Sequence, residues 1–194
     1  MNTYNLQFAL AEAEKRPLSV HFSKEGAPDR AELEQFVSGA FEYTYGAKIT
    51  HFMPYLMNLR EPDGRLVAVC GLRSATDEPL FLETYLEQPI DVRLSARMGY
   101  TIHRNEIVEV GNFAVAEAGA ARSLVNEIMQ QLYSTSKQWA VFTIVPMISN
   151  AFVKMGIQAE LLGEAKQECL PLEQQGVWGT YYDQKPKIMA VQRI

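Results

Sequence analysis

The stretch that most constrains the fold covers residues 108–128, VEVGNFAVAEAGAARSLVNEI. It predicts a strand over Val108–Val115, interrupted by Glu109 and by Gly111-Asn112, then a turn of small residues. Along this strand, Val108, Val110 and Ala114 are expected on one side and Glu109, Phe113 and Val115 on the other. Apolar residues at helical spacing predict a helix from about Gly119 to Tyr133. The apolar run that follows, residues 139–145, is typical of a strand covered on both faces. We therefore expect the two strands to pair in parallel, with the helix as a right-handed crossover.

The rest of the chain also alternates between strand and helix patterns. Residues 55–75 predict a hairpin around Pro62-Asp63-Gly64, and a helix that starts near Pro28 should stop at Gly46. The alternating segment LFLETYL, residues 80–86, predicts a further strand. The remaining predictions are a strand over Leu18–Phe22, a helix over Asp91–Met98, a short helix over residues 149–156 closed by glycine, and a final strand in the segment 178–192.

This pattern predicts one α/β domain: a mixed sheet with helices on both faces. Residues 18–194 form the predicted core and residues 1–17 an N-terminal extension. A net charge of −5 argues against a nucleic-acid partner. Two cysteines and an N-terminus without an unbroken apolar core favour a reducing, cytoplasmic location. The oligomeric state is left open.

The start of the predicted helix, Gly119-Ala120-Ala121, lacks large side chains. Free N–H groups at a helix N-terminus bind anions, and small side chains let a phosphate approach the backbone. This favours a phosphate-bearing ligand laid along the strand and into the turn. The alternative is that glycine and alanine only pack closely against the sheet.

These motifs resemble known acyltransferases. Residues 116–121, AEAGAA, are similar to the pyrophosphate loop of the GCN5-related N-acetyltransferase (GNAT) fold, and NAFVKMGI, from Asn150, resembles that fold's second carrier motif. EVGNFAV, residues 109–115, keeps the spacing of a strand motif in acyl-homoserine-lactone synthases. The segment CGLRSATDEPLFL, residues 70–82, resembles the stretch of those synthases that places an arginine at the end of a strand. This resemblance implies that Arg73 is the counterpart of that arginine.

The resemblance that covers most of the chain is to the thermostable hemolysin family. From Ala31 to about Val191, segments such as FEYTYGAKITHFMP, IVEVGNFAV and WGTYYDQKP occur in that family's order. Together the resemblances imply a GNAT-like fold and transfer of an acyl group from coenzyme A (CoA) or an acyl-carrier protein to a small amine. The second class of function is a non-catalytic or membrane-active hemolytic protein that retains the fold. The apolar stripes that the sequence predicts are those of a buried core, which argues against direct lysis of membranes.

Acyl transfer needs a base, an oxyanion site and a groove for the carrier. Glu109 is the candidate base because burial should raise its pKa; the alternative is an ion pair with Arg73. Glu83 and Tyr85 are further candidates for catalysis or acceptor recognition, or else the polar face of an edge strand. The predicted carrier-binding residues are Gly111, Asn112, Phe113, Val115, Gly119, Ala120, Ala121 and Asn150. Asn112 alternatively only adopts positive φ at a bulge.

Three residues are assigned to the acceptor: Arg73, His51 and Tyr181. Tyr181 belongs to an aromatic group with Trp178 and Tyr182 that could line an acyl pocket or simply belong to the core. The three histidines of the chain have no spacing that would clamp a metal, so no metal is predicted. An open cleft that contains both Glu109 and the carrier groove would favour the enzyme, and a groove filled by Phe152 and Met155 the non-catalytic protein.

Overall fold

In the computed structural model, which describes residues 17–193, one seven-stranded mixed sheet organises the chain. The helices are α1 Arg30–Tyr45, α2 Ile90–Met98, α3 Ala118–Ser134, α4 Pro146–Lys154 and α5 Leu172–Gln175. The strands are β1 Ser19–Lys24, β2 Tyr55–Arg60, β3 Leu66–Ser74, β4 Ile107–Val115, β5 Trp139–Ile144, β6 Glu160–Glu164 and β7 Lys187–Gln192. Short 3-10 turns cover Phe81–Tyr85, Arg104–Glu106, Gln167–Cys169 and Tyr182–Gln184.

The strand order is β1-β2-β3-β4-β5-β7-β6. Strands β4 and β5 pair in parallel, as predicted, and the other neighbouring pairs are antiparallel. Helix α3 connects the parallel pair, because parallel strands need a crossover connection. The β2–β3 hairpin around Gly64 is also confirmed.

Helices cover both faces of the sheet, as predicted. Neighbouring residues of β3 point to opposite sides: Cys70 packs in the apolar cluster of α3 and α4, and Val69 in that of α1. Helix α2 packs on the same face as α1, because its cluster contains Val141, whose neighbours Ala140 and Phe142 belong to the α3 side. The fold is thus the predicted three-layer α/β arrangement.

A bulge in β4 changes which side chains face which layer. The register between β3 and β4 shifts after Val69↔Ala114, so that Gly71 faces Gly111 and one residue of β3 lies opposite two of β4. Asn112, one of those two, has φ of 47°. Continuous alternation predicts Ala114 on the side of Val110, but Ala114 packs in the α1 cluster instead. That sequence prediction is wrong because a bulge reverses the alternation.

One other prediction is wrong, and one strand was not predicted. The segment LFLETYL, predicted as a strand, contains the 3-10 turn Phe81–Tyr85, and β6 is absent from the predicted elements. The predicted helix ends at Gly46 and Gly99 are confirmed, and both glycines adopt the left-handed conformation that ends a helix.

The predicted extension, residues 1–17, lies outside the described residues except for its last position. Within residues 17–193, we find no helix that is both long and apolar enough to cross a membrane.

Candidate functional site

The parallel pair β4 and β5 separates part of the way along its length. Pairing runs from Ile107↔Trp139 to Val110↔Phe142 and ends there, although β4 continues to Val115. Within residues 17–193, no strand pairs with the edge of β4 that faces β5 beyond Val110. Backbone groups at such an edge are available to a ligand.

The bulge beside this opening is held by the segment that precedes β2. The N–H of Met53 donates a hydrogen bond to Asn112 Oδ1, 2.9 Å away, and Arg30 Nη2 donates to the carbonyl of Met53 at 2.7 Å. A Cβ at Gly71 would lie 2.7 Å from both Asn112 Oδ1 and Met53 Cβ. Glycine is therefore required at position 71, because real Cβ contacts are not this short. Asn112 both adopts positive φ and ties this segment to the sheet.

A largely apolar cavity of about 150 Å³ lies at the opening between β4 and β5. Its walls come from α1, β3, β4, β5 and α4, from the segment that precedes β2, from the turn Phe81–Tyr85 and from the segment 178–181. Aromatic side chains predominate. The lining residues are Phe41, Tyr45, His51, Phe52, Met53, Arg73, Phe81, Tyr85, Glu109, Val110, Gly111, Asn112, Phe113, Phe142, Thr143, Ile144, Val145, Ile148, Phe152, Trp178 and Tyr181.

The cavity remains open next to the two residues expected to fill it in a non-catalytic protein. Phe152 is buried and packs against Phe142, with ring centroids 5.4 Å apart, and so forms a wall. Met155 packs at the edge of the α3 cluster and is not among the lining residues. Glu109 and part of the predicted carrier groove therefore share one open cleft. This was the arrangement expected of an enzyme.

Glu109 lines this cavity as a buried carboxylate that is 2% exposed. Its Oε1 accepts a hydrogen bond from the N–H of Leu82 at 2.8 Å, and its Oε2 accepts one from the N–H of Phe81 at 2.9 Å. Burial raises the pKa of Glu109 above its ordinary value, against the lowering effect of these hydrogen bonds and of Arg73. A carboxyl group of this kind can take up a proton closer to neutral pH than a free glutamate.

Arg73 lies directly across the sheet from Glu109, since the two residues are register partners in β3 and β4. Its Nη1 is 4.0 Å from Glu109 Oε2, and its Nε is 3.0 Å from Oε1 of the half-exposed Glu78. The alternative expectation was an ion pair between Glu109 and Arg73, and the structure shows only a long contact of 4.0 Å between them. Glu109 makes its short hydrogen bonds to the backbone of the turn Phe81–Tyr85.

Glu83, the second candidate base, lies outside this cavity. Its carboxylate contacts Arg104 Nη1 at 2.6 Å and accepts hydrogen bonds from the N–H groups of Leu80 and Ile90. Burial acts to raise the pKa of Glu83, but the hydrogen bonds from Arg104, Ile90 and Leu80 outweigh it and the pKa is lowered. The sequence placed Glu83 on a strand face with Tyr85, and the 3-10 turn separates them. Glu83 is therefore not retained as a base.

Tyr85 lines the cavity, and its hydroxyl is hydrogen-bonded to that of Tyr182. Burial raises the pKa of Tyr85, and it raises the pKa of Tyr182 to about 12. Both phenols therefore carry their protons at neutral pH. Tyr181 also lines the cavity, donates to the carbonyl of Thr143 and stacks with its aromatic neighbours, which places it in the wall.

Sequence reasoning missed several lining residues, among them Phe81 and Thr143. Among the described residues, four buried side-chain polar atoms have no hydrogen-bond partner, and three of them belong to cavity-lining residues. These three are Thr143 Oγ1, Trp178 Nε1 and Arg73 Nε, the last of which still lies 3.0 Å from Glu78 Oε1 as an ion-pair contact. Such groups are rare in folded proteins, and a bound water or ligand can satisfy them. Thr143 lies inside an apolar run, so no pattern in the sequence marks it.

The predicted carrier-binding residues divide into two groups. Gly111, Asn112 and Phe113 line the cavity, whereas Val115 ends β4, and Asn150 is an exposed residue of α4. Gly119, Ala120 and Ala121 form the first turn of α3, where Glu117 supplies no side-chain cap. A Cβ at Gly119 would meet open space.

His51 is exposed and lies at the cavity. Within residues 17–193, no three His, Cys, Asp or Glu side chains lie close enough together to hold a metal ion.

The profile of one family, described as thermostable hemolysin, matches residues 23–194. No curated protein sequence matches significantly.

Three solved structures have similar folds. The acyl-homoserine-lactone synthase LasI is 11% identical, with a TM-score of 0.62 and coverage of 92% of this chain and 91% of that one. FeeM, an N-acyl amino acid synthase from uncultured soil microbes, is 17% identical, with a TM-score of 0.59 and coverage of 91% of each chain.

The third structure is yncA, a putative acetyltransferase from Salmonella typhimurium with its cofactor acetyl-CoA. It is 12% identical, with a TM-score of 0.52 and coverage of 92% of this chain and 95% of that one. At these identities the likeness establishes the fold. The GNAT-like mixed sheet expected from the sequence is thereby confirmed.

Proposed function

The chain belongs to the thermostable hemolysin family, and we propose that it is an N-acyltransferase that moves an acyl group from acyl-CoA or an acyl-carrier protein to a small amine. One observation carries the proposal: the separation of β4 from β5 opens onto an apolar cavity that contains one buried carboxylate, Glu109. Acyl transfer needs such a dry site with a base next to a place for the thioester. Because both carriers are intracellular, the proposal includes a cytoplasmic location.

The carrier arm is proposed to lie along the free edge of β4. The amide groups of a pantetheine arm would pair with the backbone of Gly111–Val115, which has no β5 partner. The pyrophosphate of CoA would lie against the first turn of α3, whose N–H groups form the positive end of the helix dipole. Gly119, Ala120 and Ala121 keep this turn free of large or acidic side chains. Asn150 is proposed to contact the arm from α4.

The thioester carbonyl would then lie at the bulge, where the N–H groups of Gly111 and Phe113 are proposed to stabilise the oxyanion. Glu109 takes a proton from the incoming ammonium. The amine nitrogen then attacks the carbonyl carbon, the C–N bond forms, and the C–S bond breaks as the thiolate leaves. The thiolate takes up the second nitrogen proton, so Glu109 performs base catalysis and the buried tyrosines remain protonated.

The first experiment tests the carrier site by thermal shift with acetyl-, hexanoyl- and dodecanoyl-CoA and with an acylated carrier protein. A donor present at about 100 times its dissociation constant should stabilise the folded state by about 2.7 kcal/mol. The variant Gly119→Asp should bind CoA at least about 10-fold more weakly, because its carboxylate competes for the same N–H groups. A Cβ at this position meets open space, so the fold should tolerate the change.

The matched control is Gly39→Asp, which adds the same charge at an exposed glycine of α1 that also has open space around it. Gly39→Asp should bind the acyl-CoA that stabilises the parent with the parent's affinity. If no acyl-CoA and no acylated carrier protein stabilises the parent, or if Gly119→Asp binds as tightly as Gly39→Asp, the proposed carrier site is wrong.

A further inference from the structure

The charges around the cavity restrict the chemistry of the acceptor. Apart from tyrosines, the ionisable side chains that line the cavity are His51, Arg73 and Glu109. Arg73 is the one permanent cation among them, and two carboxylates already face it: Glu78 at 3.0 Å and Glu109 at 4.0 Å. With both carboxylates ionised, the group of Arg73, Glu78 and Glu109 carries a net charge of −1. An acceptor with its own carboxylate would have to displace Glu78 or be buried beside Glu109, and both are costly.

Glu109 retains capacity to bind a donor. An ionised carboxylate has about four lone-pair positions, and the N–H groups of Phe81 and Leu82 use two of them. Arg73 comes no nearer to it than 4.0 Å, which is too long for a hydrogen bond. An ammonium group suits the remaining lone-pair positions of Glu109, because it supplies several N–H donors and a positive charge together.

The walls of the cavity favour the same ligand. Phe41, Phe81, Tyr85, Trp178 and Tyr181 line it, and ring contacts connect them into one aromatic cluster. The face of an aromatic ring is electronegative and attracts cations, most strongly in the absence of water. A cavity of about 150 Å³ is also of the size known to hold one benzene molecule. The body of the ligand should therefore be apolar and about the size of one ring.

We propose that the acceptor is a primary ammonium ion on a small apolar or aromatic body that carries no carboxylate. Amines of the kind produced by decarboxylation of an amino acid fit this description, and amino acids themselves do not. The inference rests on the proposed acyl transfer for its chemistry. The binding preference it states concerns the cavity alone and is measured without an acyl donor.

The test uses four ligands that share one ring and differ in charge: 2-phenylethylamine, phenylalanine, 3-phenylpropionate and 2-phenylethanol. Their binding is measured by calorimetry at pH 7, to the parent protein and to Glu109→Gln. Glu83→Gln serves as a matched control, because Glu83 is also a largely buried glutamate but lies outside the cavity. Folded fractions are verified first by circular dichroism for all three proteins.

The amine should bind the parent at least about 10-fold more tightly than phenylalanine, a difference of about 1.4 kcal/mol. Glu109→Gln should lose this preference, whereas Glu83→Gln should keep it. Equal or tighter binding of phenylalanine or 3-phenylpropionate would overturn the proposal and assign Arg73 to a carboxylate of the acceptor. Failure of all four ligands to bind would also overturn it.

These outcomes are independent of the carrier site. Amine binding without acyl-CoA binding would leave the ligand class in place and contradict the acyltransferase. Acyl-CoA binding together with a preference for phenylalanine would leave the acyltransferase in place and contradict the proposed ligand class.

Discussion

Glu83 and Glu109 each accept two backbone N–H hydrogen bonds, yet they occupy different electrostatic surroundings. Glu83 lies 2.6 Å from Arg104, and its pKa is lowered. Glu109 lies at an apolar cavity, 4.0 Å from Arg73, and its pKa is raised. The comparison shows that backbone hydrogen bonds alone do not determine the protonation of a buried carboxyl group. The distance to a cation and the access to a ligand site separate a structural carboxylate from a candidate base.

The largest expected effect is on turnover. Glu109→Gln should lower kcat by roughly 10²–10⁴-fold, the usual range for loss of a general base, whereas Glu83→Gln should change kcat by no more than about 3-fold. Rates are measured with the acyl-CoA and amine that bind best, and they are normalised to the folded fraction. Equal losses in the two variants would show that both glutamates act only through the structure.

Stability alone would not distinguish these two variants. In each, the amide oxygen can replace one acceptor, while the NH₂ group faces a backbone N–H that has lost its partner. Glu83→Gln also removes the negative charge that lies 2.6 Å from Arg104. Each change should therefore cost about 1–3 kcal/mol. A lower melting temperature for Glu109→Gln would show only that its carboxylate holds the turn Phe81–Tyr85, a role it has whether or not it is the base.

The second prediction compares the two arginines. Arg104→Met should destabilise the fold by about 1–3 kcal/mol, because it removes short hydrogen bonds to Glu83, Asp91 and the carbonyl of Ala75. Arg73→Met should cost about 1 kcal/mol or less, since its short contact is to the half-exposed Glu78. Urea unfolding measures both. A larger loss for Arg73→Met would mean that Arg73 and Glu109 form a strong structural pair.

The third prediction concerns pH and has a smaller effect. The pKa of Glu83 is lowered in the folded state, so its contribution to stability is present above the unfolded value and is lost as pH falls through the folded value. The gap in melting temperature between the parent and Glu83→Gln should therefore shrink on acidification from pH 6 to pH 3. The pKa of Glu109 is raised, so its contribution is fully present below the unfolded value and is lost as pH rises through the folded value. The gap between the parent and Glu109→Gln should shrink in the opposite direction, from pH 4 to pH 7.

The sequence predicted the parts of this site that depend on local pattern. Gly111-Asn112 indicated an interruption in β4, and the run of small residues from Gly119 indicated a bare helix start, because both are properties of a few consecutive residues. The direction of the side chains beyond the bulge was wrong at Ala114. A bulge adds a residue, and the sequence alone did not reveal that the alternation restarts after it.

The environment of Glu109 was beyond local reasoning. Its hydrogen-bond donors, the N–H groups of Phe81 and Leu82, lie 28 and 27 residues away in the chain, respectively. The same hydrogen bonds help to hold Phe81–Tyr85 as a 3-10 turn, although the alternating pattern of this segment favours a strand. The aromatic wall formed by Phe41 and Trp178 likewise joins α1 to the far end of the chain. Such contacts depend on tertiary packing, which periodicity does not encode.

The contrast between the two glutamates can be measured directly by carbon-13 NMR titration of glutamate side-chain carboxyl groups between pH 2.5 and pH 8. The Glu109→Gln and Glu83→Gln variants assign the two resonances. Glu109 should titrate above the ordinary glutamate value of 4.5, and Glu83 should titrate below it. Titration of Glu109 at or below the midpoint of Glu83 would show that burial does not raise its pKa, and it would remove Glu109 as the candidate base.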